Sequence, residues 1–427
     1  MNYCRLEKKL SPADECHYSS LKIVIFSRMD PEIIVRNNHP VSRRHISSAA
    51  LKVLYGLNDA GYTAYLAGGG VRDLLLGRAP KDFDIATSAT PEEVKKVFRN
   101  CRLIGRRFRL AHVYFRNEIV EVSTFRALNP VSNAEDDTFL SKDGLVLRDN
   151  VFGTPEEDAL RRDFTMNALF YNVADYSIID YVHGRDDIQR RIIRVIGDPD
   201  QRFIEDPVRI LRAVRFAACL DFTIEQSAQE AIRRNAPLLE GCSSSRLYEE
   251  ILRLCNCGRS VRFFQLFNEL NVQEHLFPEL SAWMKMPDGG SKTHWLEKSF
   301  LQIDRWRAAG ILIDPALFFT LIFGEYHEWA AAQLMKSENL SLAAALQEAV
   351  ARHLRQIDRI LIPKSVTHRI AEIMSCQPRF LRITPKNYQR FSTHRAFLDA
   401  FLYFKFSART TGCNIAEFEW WDKQRKR

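Results

Sequence analysis

Nowhere in these 427 residues does an apolar run approach the ~20 residues that a membrane-spanning helix needs. Ile23-Val24-Ile25-Phe26 is short, and Lys22 and Arg28 flank it. The start also lacks the pattern of a secretory leader, because Glu7, Asp14 and Glu15 interrupt it. The nine cysteines lack a framework: they are scattered, and Cys255 and Cys257 are too close for a zinc pair of the usual two-residue gap. This argues against a disulfide-stapled scaffold. It fits a reduced, cytoplasmic interior with most thiols packed as small hydrophobes. There is no internal repeat and no low-complexity tract.

What is present describes a globular protein, with 46% hydrophobic and 27% charged residues. The length allows two or three cores. A net charge of +8 suggests a polyanionic partner. Residues 1–33 read as a disordered tail, and Met29 is an alternative start.

The most informative stretch is Gly68-Gly69-Gly70-Val71-Arg72-Asp73, followed by Lys81-Asp82-Phe83-Asp84. A glycine run offers backbone N–H groups and close approach to a triphosphate, with Arg72 as a positive fork. In an extended strand, Asp82 and Asp84 project to one face and can share hard cations. Mg²⁺ favours a few carboxylates plus substrate phosphates, with Mn²⁺ as the alternative ion. Alone, the glycines are a turn and the aspartates a solvated strand end; together and in this order they point to metal-assisted nucleotidyl transfer.

Around them the pattern is mixed. Residues 46–61 read as an amphipathic helix capped by Ser47 or Ser48, with Leu51, Val53, Leu54 and Leu57 on its apolar face. Residues 64–67 and 83–86 read as strands, 71–76 as a short helix, and Thr90-Pro91-Glu92-Glu93 as a helix start. Residues 112–115 and 119–122 form a predicted hairpin. Glu121 is then either a third carboxylate beside the Asp pair or an edge-strand charge pairing with Arg126; the sequence leaves both open. Residues 127–147 read as a long loop. Segments 208–219, 226–238, 246–255 and 298–323 carry helical periodicity.

Three further motifs hold charge. Arg161-Arg162-Asp163 is a structural ion-pair cluster or an organiser of triphosphate charge. Glu205-Asp206-Pro207-Val208-Arg209 opens a helix, with Asp206 and Arg209 on one face. An Asp accepting from the exocyclic amine of adenine and an Arg donating to the adjacent ring nitrogen would read that base; a helix cap with a surface salt bridge is the plainer reading. Arg106, Arg107, Arg109 and His112 cluster near a turn, either as a basic surface or as a place to hold phosphates or a primer end.

These residues carry a family resemblance. Gly68-Gly69-x-Val71-Arg72-Asp73, Asp82-x-Asp84, Arg161-Arg162-Asp163-Phe164-Thr165-x-Asn167-Ala168-Leu169 and Glu205-Asp206-x-x-Arg209 resemble the class II RNA nucleotidyltransferases, which hold CCA-adding enzymes and bacterial poly(A) polymerases. The third glycine position is open in the family. Leu103-Ile104-Gly105-Arg106-Arg107-Phe108-Arg109-Leu110-Ala111-His112-Val113 and Trp420-Trp421 resemble the poly(A) polymerase branch, and Ser245-Arg246 a later segment in which Arg246 reads as structural. The short Lys423-Gln424-Arg425-Lys426-Arg427 end departs from relatives with a longer Arg-rich extension.

The resemblance implies an α+β protein: a small mixed-sheet head over 34–175, a helical neck over 176–275 with base-selecting and RNA-binding segments, and a helical body over 276–427. It implies AMP transfer from ATP to RNA 3′ ends by two-metal catalysis. Asp82 and Asp84 hold the metals, Asp163 joins the catalytic set, and Gly68, Gly69, Arg72, Arg162, Asp206 and Arg209 bind the nucleotide. Arg106, Arg107 and Arg109 meet the primer. RNA-decay or RNA-chaperone proteins are the expected protein partners. CCA addition to tRNA, an inactive RNA-binding protein and an antibiotic-modifying nucleotidyltransferase are the competing readings.

Overall fold

The computed structural model describes residues 30–105, 109–128, 152–287, 289–357 and 359–426. An N-terminal head carries an eight-stranded sheet: β1 (Glu32–Ile34), β2 (Ala64–Ala67), β3 (Asp84–Thr87), β4 (Cys101–Ile104), β5 (Leu110–Tyr114), β6 (Ile119–Thr124), β7 (Leu169–Asn172) and β8 (Ile178–Asp180). Their order is β1-β8-β7-β2-β3-β6-β5-β4. Only β3 and β6 run parallel; the other neighbours are antiparallel. The head therefore reaches past both expected bounds. Glu32 and Ile33, assigned to the tail, and Ile34, the first residue of the expected head, pair with Asp180, Ile179 and Ile178, assigned to the neck. Two short apolar strands at the far edge of the sheet were too brief to stand out in sequence.

Helix α1 (Ser48–Asp59) packs Val53, Leu54 and Leu57 against the sheet, and the Ser47 hydroxyl accepts from the Ala50 N–H. Helix α2 (Gly69–Leu75) follows β2 directly. Helix α3 (Pro91–Val97) starts with Thr90 and Glu93 in a reciprocal capping box and Pro91 at the first turn, as its sequence predicts. Helix α4 (Pro155–Arg161) starts with the same device, Thr154 and Glu157 around Pro155. Helix α5 (Gly184–Arg190) abuts the Thr165 turn so closely that a Cβ on Gly184 would lie 2.2 Å from the Thr165 carbonyl oxygen.

Beyond the head come α6 (Pro199–Glu205), α7 (Val208–Leu220), α8 (Gln226–Asn235), α9 (Ser244–Cys255) and α10 (Ser260–Glu269). One parallel pair, β9 (Ile192–Ile193) with β10 (Thr223–Ile224), interrupts this otherwise helical neck. The body adds the short α11 (Gln273–Leu276) and α12 (Pro278–Met284), then α13 (Gly289–Ala308), α14 (Pro315–Glu338), α15 (Leu342–Gln356), α16 (Lys364–Ser375), α17 (Gln377–Phe380), α18 (Pro385–Phe391), α19 (Phe397–Thr411) and α20 (Ile415–Lys426). The single helix expected over 298–323 is two. Gly310 takes φ +76°, and Asp314 with Pro315 restarts the chain as α14.

One buried apolar cluster runs from Ile34 in the head to Trp421 in α20. Trp421 is fully buried, and its indole N–H donates to the Phe380 carbonyl at 2.8 Å. Among the described residues no helix is long and apolar enough to cross a membrane.

Candidate active site

The site is built at one end of the head sheet. Sheet register sets Ala67 opposite Asp84, so β2 delivers Gly68 beside the start of β3. On the other flank Ile85 pairs with Val122, which brings Glu121 level with Asp84. Glu121 thus lies on an inner strand, between β3 and β5, and the edge-strand reading fails. Its side chain meets His112, with Nε2 3.3 Å from Oε2, across the β5–β6 pair. Asp82 sits just ahead of β3 rather than within it.

Asp84 is exposed at the mouth of the site, yet closely surrounded. Its pKa is pushed up to about 6, first by desolvation, then by the negative charge of Glu121 and of Asp82, against the pull of Arg162. Carboxylates that repel one another across an open site suit a divalent cation. Among the described residues no three His, Cys, Asp or Glu side chains form a ready-made cage. A magnesium site does not need one, since substrate phosphates and water complete its shell.

Gly68 precedes α2 at φ +68° and ψ −131°, a backbone conformation that favours glycine. A Cβ there would come within 2.7 Å of the Arg162 Nη1, which locates that guanidinium against the turn. Arg162 is fixed by Asp158, four residues earlier, at 2.9 Å, by the Asn167 carbonyl at 3.1 Å, and over the Phe170 ring at 5.2 Å. It is the cation that borders both the glycine turn and Asp84. A Cβ on Gly70 would meet only ordinary contacts, consistent with an open third position.

Arg72 and Asp163 are placed otherwise than expected. Arg72 is 8% exposed; it donates to Asp73 and, through Nη1, to the Asn167 side-chain oxygen at 2.7 Å. It braces α2 rather than presenting a free fork. Asp163 accepts from the Phe164 N–H and the Asn167 amide on one oxygen, and from Arg212 on the other at 2.6 Å. Burial raises its pKa most, but Arg212 and these hydrogen bonds outweigh burial and leave it lowered. These bonds engage the Asp163 carboxylate at the joint between head and α7.

Asp206 lies in the α6–α7 turn and Arg209 in the first turn of α7; the Arg209 N–H donates to the Asp206 carbonyl at 3.0 Å, but their side chains take other partners. Arg246 from α9 grips Asp206 with two bonds, at 2.7 and 3.0 Å. Arg209 donates to the Arg202 carbonyl at 2.8 Å and to Glu205 at 3.1 Å. Arg202, not singled out from sequence, also donates to the carbonyls of Arg161 and Arg162, both at 2.6 Å, and so ties the Arg-Arg-Asp segment to this turn. Asn167 was the other residue missed in role; it links Arg72, Arg162 and Asp163, and its place in the Arg-Arg-Asp-Phe-Thr-x-Asn run was the available signal. Arg109 forms an exposed pair with Glu92 at 2.7 Å. Arg106 and Arg107 lie outside the described residues.

A mixed sheet with a glycine turn, an Asp-x-Asp segment and an adjacent arginine defines the head of a nucleotidyltransferase. Comparison with known proteins narrows this. Residues 64–194 match the poly(A) polymerase head domain, residues 221–284 the probable RNA- and SrmB-binding site of polymerase A, and residues 338–427 the polymerase A arginine-rich C-terminus. Poly(A) polymerase I of Salmonella typhi is 42% identical over 404 residues, covering 94% of this chain and 85% of that protein. A Lactobacillus johnsonii CCA-adding enzyme is 39% identical over 240 residues, only 56% of this chain and 57% of that protein. Among solved structures, the Bacillus stearothermophilus CCA-adding enzyme in complex with CTP superposes with a TM-score of 0.59 at 30% identity, covering 88% of this chain and 80% of that one. The chain belongs to the bacterial poly(A) polymerases, the polynucleotide adenylyltransferases of the class II family.

Proposed function

We propose that this protein adds AMP from ATP to RNA 3′ ends without a template, in RNA polyadenylation and turnover. The observation that carries the reading is the meeting of Gly68, Arg162 and the Asp84–Glu121 pair at one sheet end, in a chain whose likeness to poly(A) polymerases runs nearly its full length. Gly68 and Gly69 let the backbone approach the triphosphate, and Arg162 offsets its charge. Arg72, through Asn167, keeps the glycine turn in place. Mg²⁺, or Mn²⁺ in its stead, held by Asp82 and Asp84 with Glu121 alongside, would polarise the α-phosphate and favour ionisation of the attacking 3′-hydroxyl. Asp206 and Arg209 read the adenine edge, with Arg246 and Arg202 holding them in position. Arg106, Arg107 and Arg109 guide the primer end. RNA is gripped mainly through its phosphates, RNA-decay or RNA-chaperone proteins are the expected partners, and the scattered cysteines fit a cytoplasmic site of action.

The test is extension of a labelled generic RNA with each nucleotide separately, beside a tRNA lacking its CCA end. Long tails with ATP alone are expected. Asp84→Ala should lower activity about a thousandfold or more, and Arg209→Ala should erode the preference for ATP over CTP. Growth that stops at the CCA end and requires CTP would move the chain to the tRNA branch. No incorporation of any nucleotide would leave an RNA-binding protein.

A further inference from the structure

On the helical body some arginines face a carboxylate: Arg352 meets Glu338 and Glu348, Arg369 meets Asp399, and Arg395 meets Glu372. One region gathers cations without such partners. Between α13 and α19 lies a cavity of about 390 Å³, lined by Lys298, Arg305 and Trp306 from one helix and Lys405 and Arg409 from the other. No acidic residue lines it. Among the described residues, none of these four cations forms an ion pair with a carboxylate. Asp304, next to Arg305, is turned to the N–H groups of Ser260 and Val261. Asp422 of α20 is taken by Lys426 at 2.6 Å.

The groove continues. A second cavity of about 530 Å³ shares Arg409 and is lined along α20 by Lys423, by Glu419, and by Lys426 paired with Asp422. Lys298 and Arg305 are seven residues apart on one helix, so their charges are spread over about 10 Å. That is longer than a single phosphate needs and suits a run of them. Crowding leaves its mark on Lys405, whose ammonium is pushed down by burial and then by Arg409, while Asp422 pulls the other way. An anion in the groove would relieve that repulsion.

We propose that the groove between α13, α19 and α20 holds the sugar-phosphate backbone of the RNA primer, upstream of its reacting 3′ end. The inference rests on the RNA-extending reading above and adds a second grip, remote in sequence from the head. The cations supply sequence-independent attraction, and Trp306 offers an apolar wall.

The test measures binding and extension of single-stranded primers from a few nucleotides to well beyond the roughly 4–16 nucleotides that such grooves cover. Wild-type protein should gain affinity in a step once the primer is long enough to enter the groove. The variant Lys298→Gln/Lys405→Gln/Arg409→Gln should lose that step, about tenfold or more. The slope of log affinity against log salt should fall by about 2, at roughly 0.7 per phosphate contact. Extension of the shortest primers and the KM for ATP should be unchanged. Lys298→Arg/Lys405→Arg should keep the step, which separates charge from folding, and a thermal melt checks the fold directly. Equal binding of all lengths by wild type and variant would overturn the inference. A change in the KM for ATP with no change in length dependence would also overturn it, making the groove a free-nucleotide site. Because binding is read apart from catalysis, a chain that extends no primer would fail the functional reading without deciding this one.

Discussion

Asp84 concentrates the chemistry of the head in one side chain. Burial and its carboxylate neighbours raise its pKa to about 6. Without a cation the folded protein therefore holds this proton more tightly than the unfolded chain does. The resulting contribution to stability is full below about pH 4 and is lost as pH rises through about 6. A divalent ion competes for the same oxygens. Mg²⁺ binding should release close to one proton below about pH 6 and very few near pH 8, and activity should fall as pH drops through about 6. Calorimetry in two buffers of different ionisation enthalpy reads the release; the same release at both pH values would exclude Asp84 as the ligand. At this scale much was legible. The Gly-Gly turn and Asp-x-Asp spacing marked where to look, because side-chain direction along a strand follows from residue count. The partners of Arg72 and Asp163 were not, since Asn167 and Arg212 reach them through the folded chain and leave no local pattern.

Elements tell a similar story. Helices α1 and α3 were readable from their caps and apolar residues, and α7 from its apolar periodicity. Helix α4 was not read from the sequence although Thr154-Pro155-Glu156-Glu157 repeats the Thr90-Pro91-Glu92-Glu93 start of α3, which is also seven residues long. Its Asp158 steadies Arg162, so a short element proves central to the site. The joint between head and α7 includes one buried carboxylate, Asp163, paired with Arg212. Asp163→Asn should cost about 2–3 kcal/mol, because Arg212 keeps only Glu250, at 3.6 Å, as a charged partner. The urea midpoint measures the loss. A variant as stable as wild type would mean that Asp163 does not hold the joint.

At the scale of the molecule, composition foretold a polyanionic partner, and the likeness to poly(A) polymerases along nearly the whole chain agrees with it. RNA affinity should fall steeply with ionic strength, by about a hundredfold or more between roughly 50 and 200 mM salt if six or so phosphates are gripped. Filter binding across that range decides it, and a flat profile would mean that the +8 charge plays no part in holding RNA. Domain limits were less legible than partner chemistry, because one apolar cluster joins head to body and no Pro- or Gly-rich linker divides them. The order of the sheet has a consequence for the protein's birth on the ribosome. The carboxylate strands β3 and β6 emerge early, but β2 finds its second neighbour only when Leu169–Asn172 has been made, and β1 only at Ile178–Asp180. For most of the head's synthesis an unpaired strand edge stands exposed. A pause in translation before residue 180 would leave the nascent chain open to proteases and chaperones, and release from the exit tunnel just beyond it would let the sheet close as a unit.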